Sequence, residues 1–307
     1  AGFKKLVAPS SGIENVLVMV RFKGNVLNGI WLNDLIYCPR HVIGKYSGDD
    51  WQNALHMANN FDFEVISNKI GGLSVIERRM QGALLVLRVN QSNKNTPKFK
   101  FVKAHDGDTF TIACSYNGVI AGLYPCTLRA NGTIKGSFGL GSCGSIGYNL
   151  VNGIYELCYM HHLELPGAIH AGTDLSGNFY GDFVDEEKAQ FVKPDPLIAN
   201  NVVAWLYAAI INYRESHYCY PKWLESSSVS LEEFNAWAKD NGFTSFIDGP
   251  VFQKLASITG VELGRVLRTI LTKHACWGND PILGSFSFDD EITPFSVVEQ
   301  CGGVVLQ

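Results

Sequence analysis

From residue 16 to residue 128 the chain alternates short apolar, β-branched runs with clusters of turn-forming residues, the pattern of strands with a period of two. The runs fall at 16–22, 26–31, 35–38, 61–66, 83–89, 98–102, 109–114 and 119–128. Lys23-Gly24-Asn25 closes the first, and glycines at 71, 72, 107, 118, 122 and 132 punctuate the others. Many short strands with such punctuation predict a sandwich or barrel. Their total length is too great for one small barrel, so two are expected, divided near residue 100.

The pattern changes after residue 182. The stretch 183–199 contains Lys193-Pro194-Asp195-Pro196, which suits neither a helix interior nor a central strand and reads as an exposed linker. Beyond it the spacing becomes helical. Residues 201–214 run without Gly or Pro. Ser230-Leu231-Glu232-Glu233 is a capping box, and Asn241-Gly242 stops the helix it opens. Residues 261–276 repeat apolar positions at helical spacing, and Thr293-Pro294 sets an N-cap and a first-turn proline. The expected fold is therefore mainly β with a helical C-terminal domain: a first barrel over 1–99, a second over 100–182, the linker, and helices over 200–307.

Composition adds limits. Apolar residues make up 46% and charged residues 18%, with a net charge of −4, so the chain is globular and carries no basic footprint for nucleic acid. Residues 200–307 hold 7 Lys and Arg against 12 Asp and Glu, a net −5, which suits assembly better than a nucleic-acid clamp. The start, Ala1-Gly2-Phe3-Lys4-Lys5, has no apolar leader core. The longest mainly apolar stretch, 202–211, is shorter than the roughly 20 residues a membrane span needs. The eight cysteines, at 38, 114, 126, 143, 158, 219, 276 and 301, form no C-x-x-C pair. Most are expected to be buried free thiols in a reducing compartment. Two sequons, at Asn90 and Asn131, are read as chance.

Candidate chemistry lies in three segments. In Gly141-Ser142-Cys143-Gly144-Ser145, glycines flank a nucleophile on a tight turn, where backbone amides can face a substrate carbonyl. Tyr37-Cys38-Pro39-Arg40-His41 follows a predicted strand, with His41 lying 102 positions before Cys143. A thiol with an ordinary pKa near 8.5 needs such a base at neutral pH. Histidine first and nucleophile later, one per barrel, is the chymotrypsin order. In Tyr159-Met160-His161-His162-Leu163-Glu164-Leu165-Pro166, strand alternation puts His161 and Leu163 on one face and His162 and Glu164 on the other. A neutral His161 can donate to a substrate amide oxygen. A metal site on His161, His162 and His170 is the rival reading, and the opposed faces argue against it. A non-catalytic interaction module is a second rival.

These segments resemble the coronavirus main proteases, or 3C-like proteases, and most nearly their gammacoronavirus branch. The likeness runs the length of the chain. It is carried also by Asn28-Gly29-Ile30-Trp31-Leu32, Gly136-Ser137-Phe138, Gly172-Thr173-Asp174-Leu175, Asn178-Phe179-Tyr180-Gly181 and Ala204-Trp205-Leu206-Tyr207-Ala208-Ala209. The resemblance implies two chymotrypsin-like, six-stranded antiparallel barrels with the site in the cleft between them, and a helical domain that promotes dimerisation. It implies a His41–Cys143 dyad, with an ordered water near His41 and Asp185 in place of a third side chain. The oxyanion hole would use the amides of Gly141, Ser142 and Cys143. Phe138, His161, Glu164 and His170 would receive a glutamine, with Tyr159 helping to keep His161 neutral. His41, Leu163, Asp185 and Glu187 would meet the preceding leucine, and Gln190 would also bind substrate. Across a homodimer, Ala1 would reach Glu164, and Lys4 would pair with Glu291. The substrate implied is a viral polyprotein, processed in the host-cell cytoplasm at viral replication sites, with no cofactor.

The chain departs from the family pattern at three places. Gly139-Leu140 precedes the nucleophile turn, where Leu-Asn or Leu-Ala is common. Glu186-Glu187 adds negative charge beside the cleft, where relatives carry Arg or Gln. Lys4 replaces the more frequent Arg, a point charge in place of a bidentate fork. The chain begins at Ala1 and ends Val305-Leu306-Gln307. An enzyme that cuts Leu-Gln before a small residue would leave such ends on excising itself, so self-release is expected.

Overall fold

The fold is described from a computed structural model over residues 6–136, 142–186, 188–195 and 201. The predicted helical domain, Asn201 apart, lies outside the described residues. Residues 7–195 make one unit, and 1–6 with 196–307 make another. The boundary at 195/196 falls inside the predicted linker.

The first sheet joins β1 (Leu17–Phe22), β2 (Asn25–Leu32), β3 (Leu35–Pro39), β4 (Phe63–Ser67), β5 (Gly71–Leu73), β6 (Val75–Gln81) and β7 (Leu84–Val89). Their order is β5-β4-β1-β2-β3-β7-β6, and every pairing is antiparallel. β5 and β6 are one stretch broken only at Ser74, yet they pair at opposite ends of that order. The stretch therefore curls the sheet round on itself. Asn90 holds the break: its Oδ1 accepts from the Ser74 N–H at 3.2 Å, and its N–H donates to the Ser74 carbonyl at 3.0 Å. A barrel of six segments thus contains seven strands, not six. A short helix, α1 (Ser11–Glu14), precedes the sheet, and α2 (Asp50–Met57) lies between β3 and β4.

The second sheet runs β10 (Val119–Thr127), β9 (Thr109–Tyr116), β12 (Ile146–Val151), β13 (Ile154–Leu165), β14 (Ile169–Thr173) and β11 (Thr133–Lys135). These six are antiparallel. A seventh, β8 (Phe99–Phe101), pairs parallel with β13. The wholly antiparallel six-strand expectation is corrected here too: β8 enters beside β13 in the same direction.

Alternation along the strands sorts apolar side chains into three clusters. Val18, Val20, Leu27, Trp31, Ile36, Cys38, Leu85 and Leu87 fill the first sheet's interior. Their strand neighbours Leu17, Ile30, Leu32, Tyr37, Leu84 and Val86 face the other way and pack with Ala113, Ile146, Tyr148, Leu157 and Met160 of the second sheet. Phe110, Ile112, Cys126, Leu128, Ile134, Cys158 and Tyr159 form the second interior. Because β2 and β7 bury both faces, they read as continuous apolar runs. The seam cluster fixes the two sheets side by side.

Candidate active site

His41 is placed by the end of β3. Pro39 is extended (φ −61°, ψ 134°), and the chain then turns through the 3-10 turn Arg40–Ile43. The Arg40 N–H donates to the Ala83 carbonyl at 2.9 Å and pins that turn to the start of β7. Burial pushes the His41 imidazole below the ordinary histidine value of 6.5; the Asp185 carboxylate opposes this and the Lys45 charge adds to it. Arg40 itself grips Asp185 with a fork, Nε to Oδ2 and Nη2 to Oδ1, both at 2.7 Å. Its guanidinium lies 4.1 Å from the centre of the Trp51 ring. Both oxygens of the buried Asp185 thus face Arg40. Asp185 acts on His41 through space, not as the orienting third member of a triad.

Cys143 sits on the turn before β12. Its carbonyl accepts from the Asn28 N–H at 2.9 Å and from Asn28 Nδ2 at 3.0 Å. Asn28, wholly buried in β2, also donates Nδ2 to the Ser115 carbonyl (2.8 Å) and accepts from the Gly118 N–H (2.8 Å). One amide therefore ties the nucleophile turn to both sheets. The following residue must be glycine. Gly144 has φ +87°, and a Cβ there would stand 1.8 Å from the Asn28 carbonyl oxygen. Its N–H donates to the His161 carbonyl at 2.8 Å. Ser145 Oγ accepts from the Ser115 N–H at 2.9 Å. The Cys143 thiol donates to the His162 carbonyl at 3.4 Å. Burial pushes the thiol up to about 11, with Glu164 adding to the shift and its own backbone amide opposing it.

His41 and Cys143 open onto one cleft of about 1030 Å³, lined also by His161, His162, Leu163, Glu164, Asp185 and Glu186. The expected alternation along 161–164 does not hold. The β13–β14 register shifts between His161 and Leu163, and the resulting bulge buries both His161 and His162. His161 is pushed down to about 3 by burial, then by His170 and His41. The His170 ring meets it edge-on at 4.8 Å, and His170 Nε2 bonds the Gly136 carbonyl at 2.8 Å. The Tyr159 hydroxyl is buried with no hydrogen-bond partner among the described residues. Burial and the neighbouring histidines, not a bond from Tyr159, account for the neutral His161. The His162 ring stands edge-on to His41 at 6.0 Å, and its Nε2 lies 2.9 Å from Thr173 Oγ1.

Several site residues were not legible as such. Asn28, Arg40 and Ser145 stood inside motifs without a role, and His162 was assigned to the opposite face. An amide inside the apolar run of β2 is the one signal that marks Asn28. Gln190 is turned onto its own chain, away from any role legible in its spacing. Ala1, Lys4, Phe138, Gly141, Glu187 and Glu291 lie outside the described residues.

The coronavirus endopeptidase C30 family model matches residues 29–307. Over 307 residues the chain is 56% identical to part of replicase polyprotein 1a of avian infectious bronchitis virus, strain Beaudette, a gammacoronavirus, and spans 8% of that polyprotein. It is 44% identical over 311 positions to replicase polyprotein 1a of murine coronavirus strain JHM, spanning 7% of it. It is 41% identical over 309 positions to replicase polyprotein 1ab of bat coronavirus 512/2005, spanning 4%. All of this chain is covered in each case, and it is a small part of every one of these relatives.

Proposed function

Because the chain belongs to the coronavirus endopeptidase C30 family, and is therefore a cysteine endopeptidase, we propose that His41 and Cys143 are its catalytic dyad and that it cleaves a viral replicase polyprotein after glutamine. The observation that carries the reading is the convergence of His41, from the first sheet, and Cys143, from the second, on one cleft that a neutral His161 also lines. The dyad rests uncharged, since burial lowers the imidazole and raises the thiol. His41 takes the Cys143 proton as sulfur attacks the glutamine carbonyl. The amides of Gly141, Ser142 and Cys143 would receive the oxyanion, each donor being worth about 10²–10³ in rate. His41 then protonates the leaving amine, and water hydrolyses the thioester. An ordered water near His41 and Asp185 would stand in place of a third side chain.

His161, Glu164 and His170 would take the glutamine together with Phe138. Leu163 and Asp185, with Glu187, would meet the residue before it. Relatives hold this region inside a replicase polyprotein, which supports self-release by the same chemistry. A homodimer completed by Ala1, Lys4 and Glu291, working in the host-cell cytoplasm, belongs to the same proposal.

The test is a peptide containing Leu-Gln-Ser beside one containing Leu-Glu-Ser. Wild type should cut the first after glutamine and leave the second, and Cys143→Ala should cut neither while keeping a native circular dichroism spectrum. Turnover by Cys143→Ala near that of wild type would sink the assignment.

A further inference from the structure

Gln190 engages both groups of its side-chain amide with the backbone of Val184, six residues earlier. Its Oε1 accepts from the Val184 N–H, and its Nε2 donates to the Val184 carbonyl, each at 2.8 Å. These are the two bonds a neighbouring strand would provide, supplied here by a side chain. Val184 belongs to no strand. Its own donor and acceptor dictate which way the amide is turned. The two residues that follow Val184 line the cleft. Arg40 holds Asp185 through two bonds of 2.7 Å, and Glu186 Oε1 accepts from the Gly48 N–H at 3.3 Å. Residues 184–186 are thus fixed at three consecutive positions, each by a different partner.

We propose that Gln190 is a positioning residue for proteolysis: it is a clasp that sets the cleft wall at residues 184–186, not a group that meets the peptide. The proposal rests on the endopeptidase reading above and deepens it. A clasp of this kind needs one donor and one acceptor on a planar group. An ionised carboxylate has only acceptors and would set an oxygen against the Val184 carbonyl. A protonated one regains the donor. Glutamate at 190 should therefore fail at neutral pH and recover in acid.

The experiment is steady-state cleavage of the Leu-Gln-Ser peptide between pH 7.5 and 5 by wild type, Gln190→Glu and Gln190→Ala. Active sites are counted by titration with a thiol alkylator. At pH 7.5 both variants should raise KM about tenfold, the equivalent of one lost net hydrogen bond, with kcat per active site nearly unchanged. Toward pH 5 the KM of Gln190→Glu should return toward wild type, because the Val184 carbonyl opposes the carboxylate charge and the carboxyl takes up its proton above its ordinary value of about 4.3. Gln190→Ala should stay raised throughout. Arg40, Asp185, Glu186 and Lys188 are common to all three proteins, so the ratio to wild type cancels their titration. A flat ratio for Gln190→Glu, or wild-type KM in both variants, overturns the clasp and leaves the endopeptidase reading standing. An uncut peptide with wild type overturns that reading instead. If neither variant folds, hydrogen exchange on wild type decides: the Val184 amide should exchange at least about tenfold slower than an open chain, and an unprotected amide refutes the clasp.

Discussion

His41, His161, His162 and His170 are all held below the ordinary histidine value, and burial is the first cause in each. The charges of the other imidazoles push His161 and His162 further down, so a proton on one ring opposes a proton on the next. Such a cluster can offer hydrogen bonds without ever becoming a cation at neutral pH. That is the state a pocket needs if it is to prefer a neutral amide to a carboxylate. The consequence for stability has a definite sign. Below pH 6.5 the unfolded chain binds protons that the folded histidines refuse, so stability falls as pH falls. A histidine whose folded value lies below 5, as that of His161 does at about 3, costs about 2 kcal/mol at pH 5 relative to pH 7. The slowest-exchanging amides of β1 and β13 should therefore lose protection between pH 7 and pH 5, beyond the intrinsic change in exchange rate. Equal protection at both would mean that these imidazoles titrate normally.

At the scale of elements, the nucleophile turn is a junction with little freedom. Asn28 reaches it from β2, Ser115 from β9, and the His161 carbonyl from β13. Gly144→Ala would set a methyl group against the Asn28 carbonyl at a backbone angle that only glycine adopts easily. Strain of about 1–3 kcal/mol and a displaced Cys143 amide should lower kcat by about 10²–10³ while the two sheets persist. Circular dichroism with active-site titration would check it, and a variant with near-normal kcat would show that the turn tolerates movement. The junction also explains what the sequence could and could not reveal. Strands β1, β2, β3, β7, β9 and β10 were legible because apolar runs meet turn signals there. β6 was not, because an edge strand carrying Glu77, Arg78 and Arg79 lacks the apolar alternation that marks a strand. α2 was missed as well, a short helix that buries only Trp51 and Leu55. That His41 and Cys143 would meet at one cleft was legible from residue type and chain order. Asn28, Arg40 and His162 were not, because their roles depend on a bulge and on partners 115 to 145 positions away or across a sheet.

In the unit formed by residues 7–195, His41 and Cys143 follow from different sheets, so their separation depends on the seam packing together with the Asn28 bonds to the Cys143 carbonyl. Leu84 and Leu85 isolate the effect of the seam. They are adjacent on β7 and wholly buried, but Leu84 faces the seam beside Ile146 and Met160, whereas Leu85 faces the first interior beside Cys38. Leu84 also pairs with Pro39, the residue from which the chain turns toward His41. Truncation to alanine should cost about 2–5 kcal/mol at either position, since both create a cavity in a close-packed cluster. Their effects on catalysis should differ. Leu84→Ala lets the sheets shift against each other and should lower kcat/KM well below wild type at temperatures where the protein is still folded. Leu85→Ala loosens one interior and leaves the seam intact, so it should lose stability with most of its activity retained. Thermal melts with kinetics at matched distance below each Tm would separate the two. Equal loss of activity would place the control of dyad geometry in the sheets themselves and not in the packing between them.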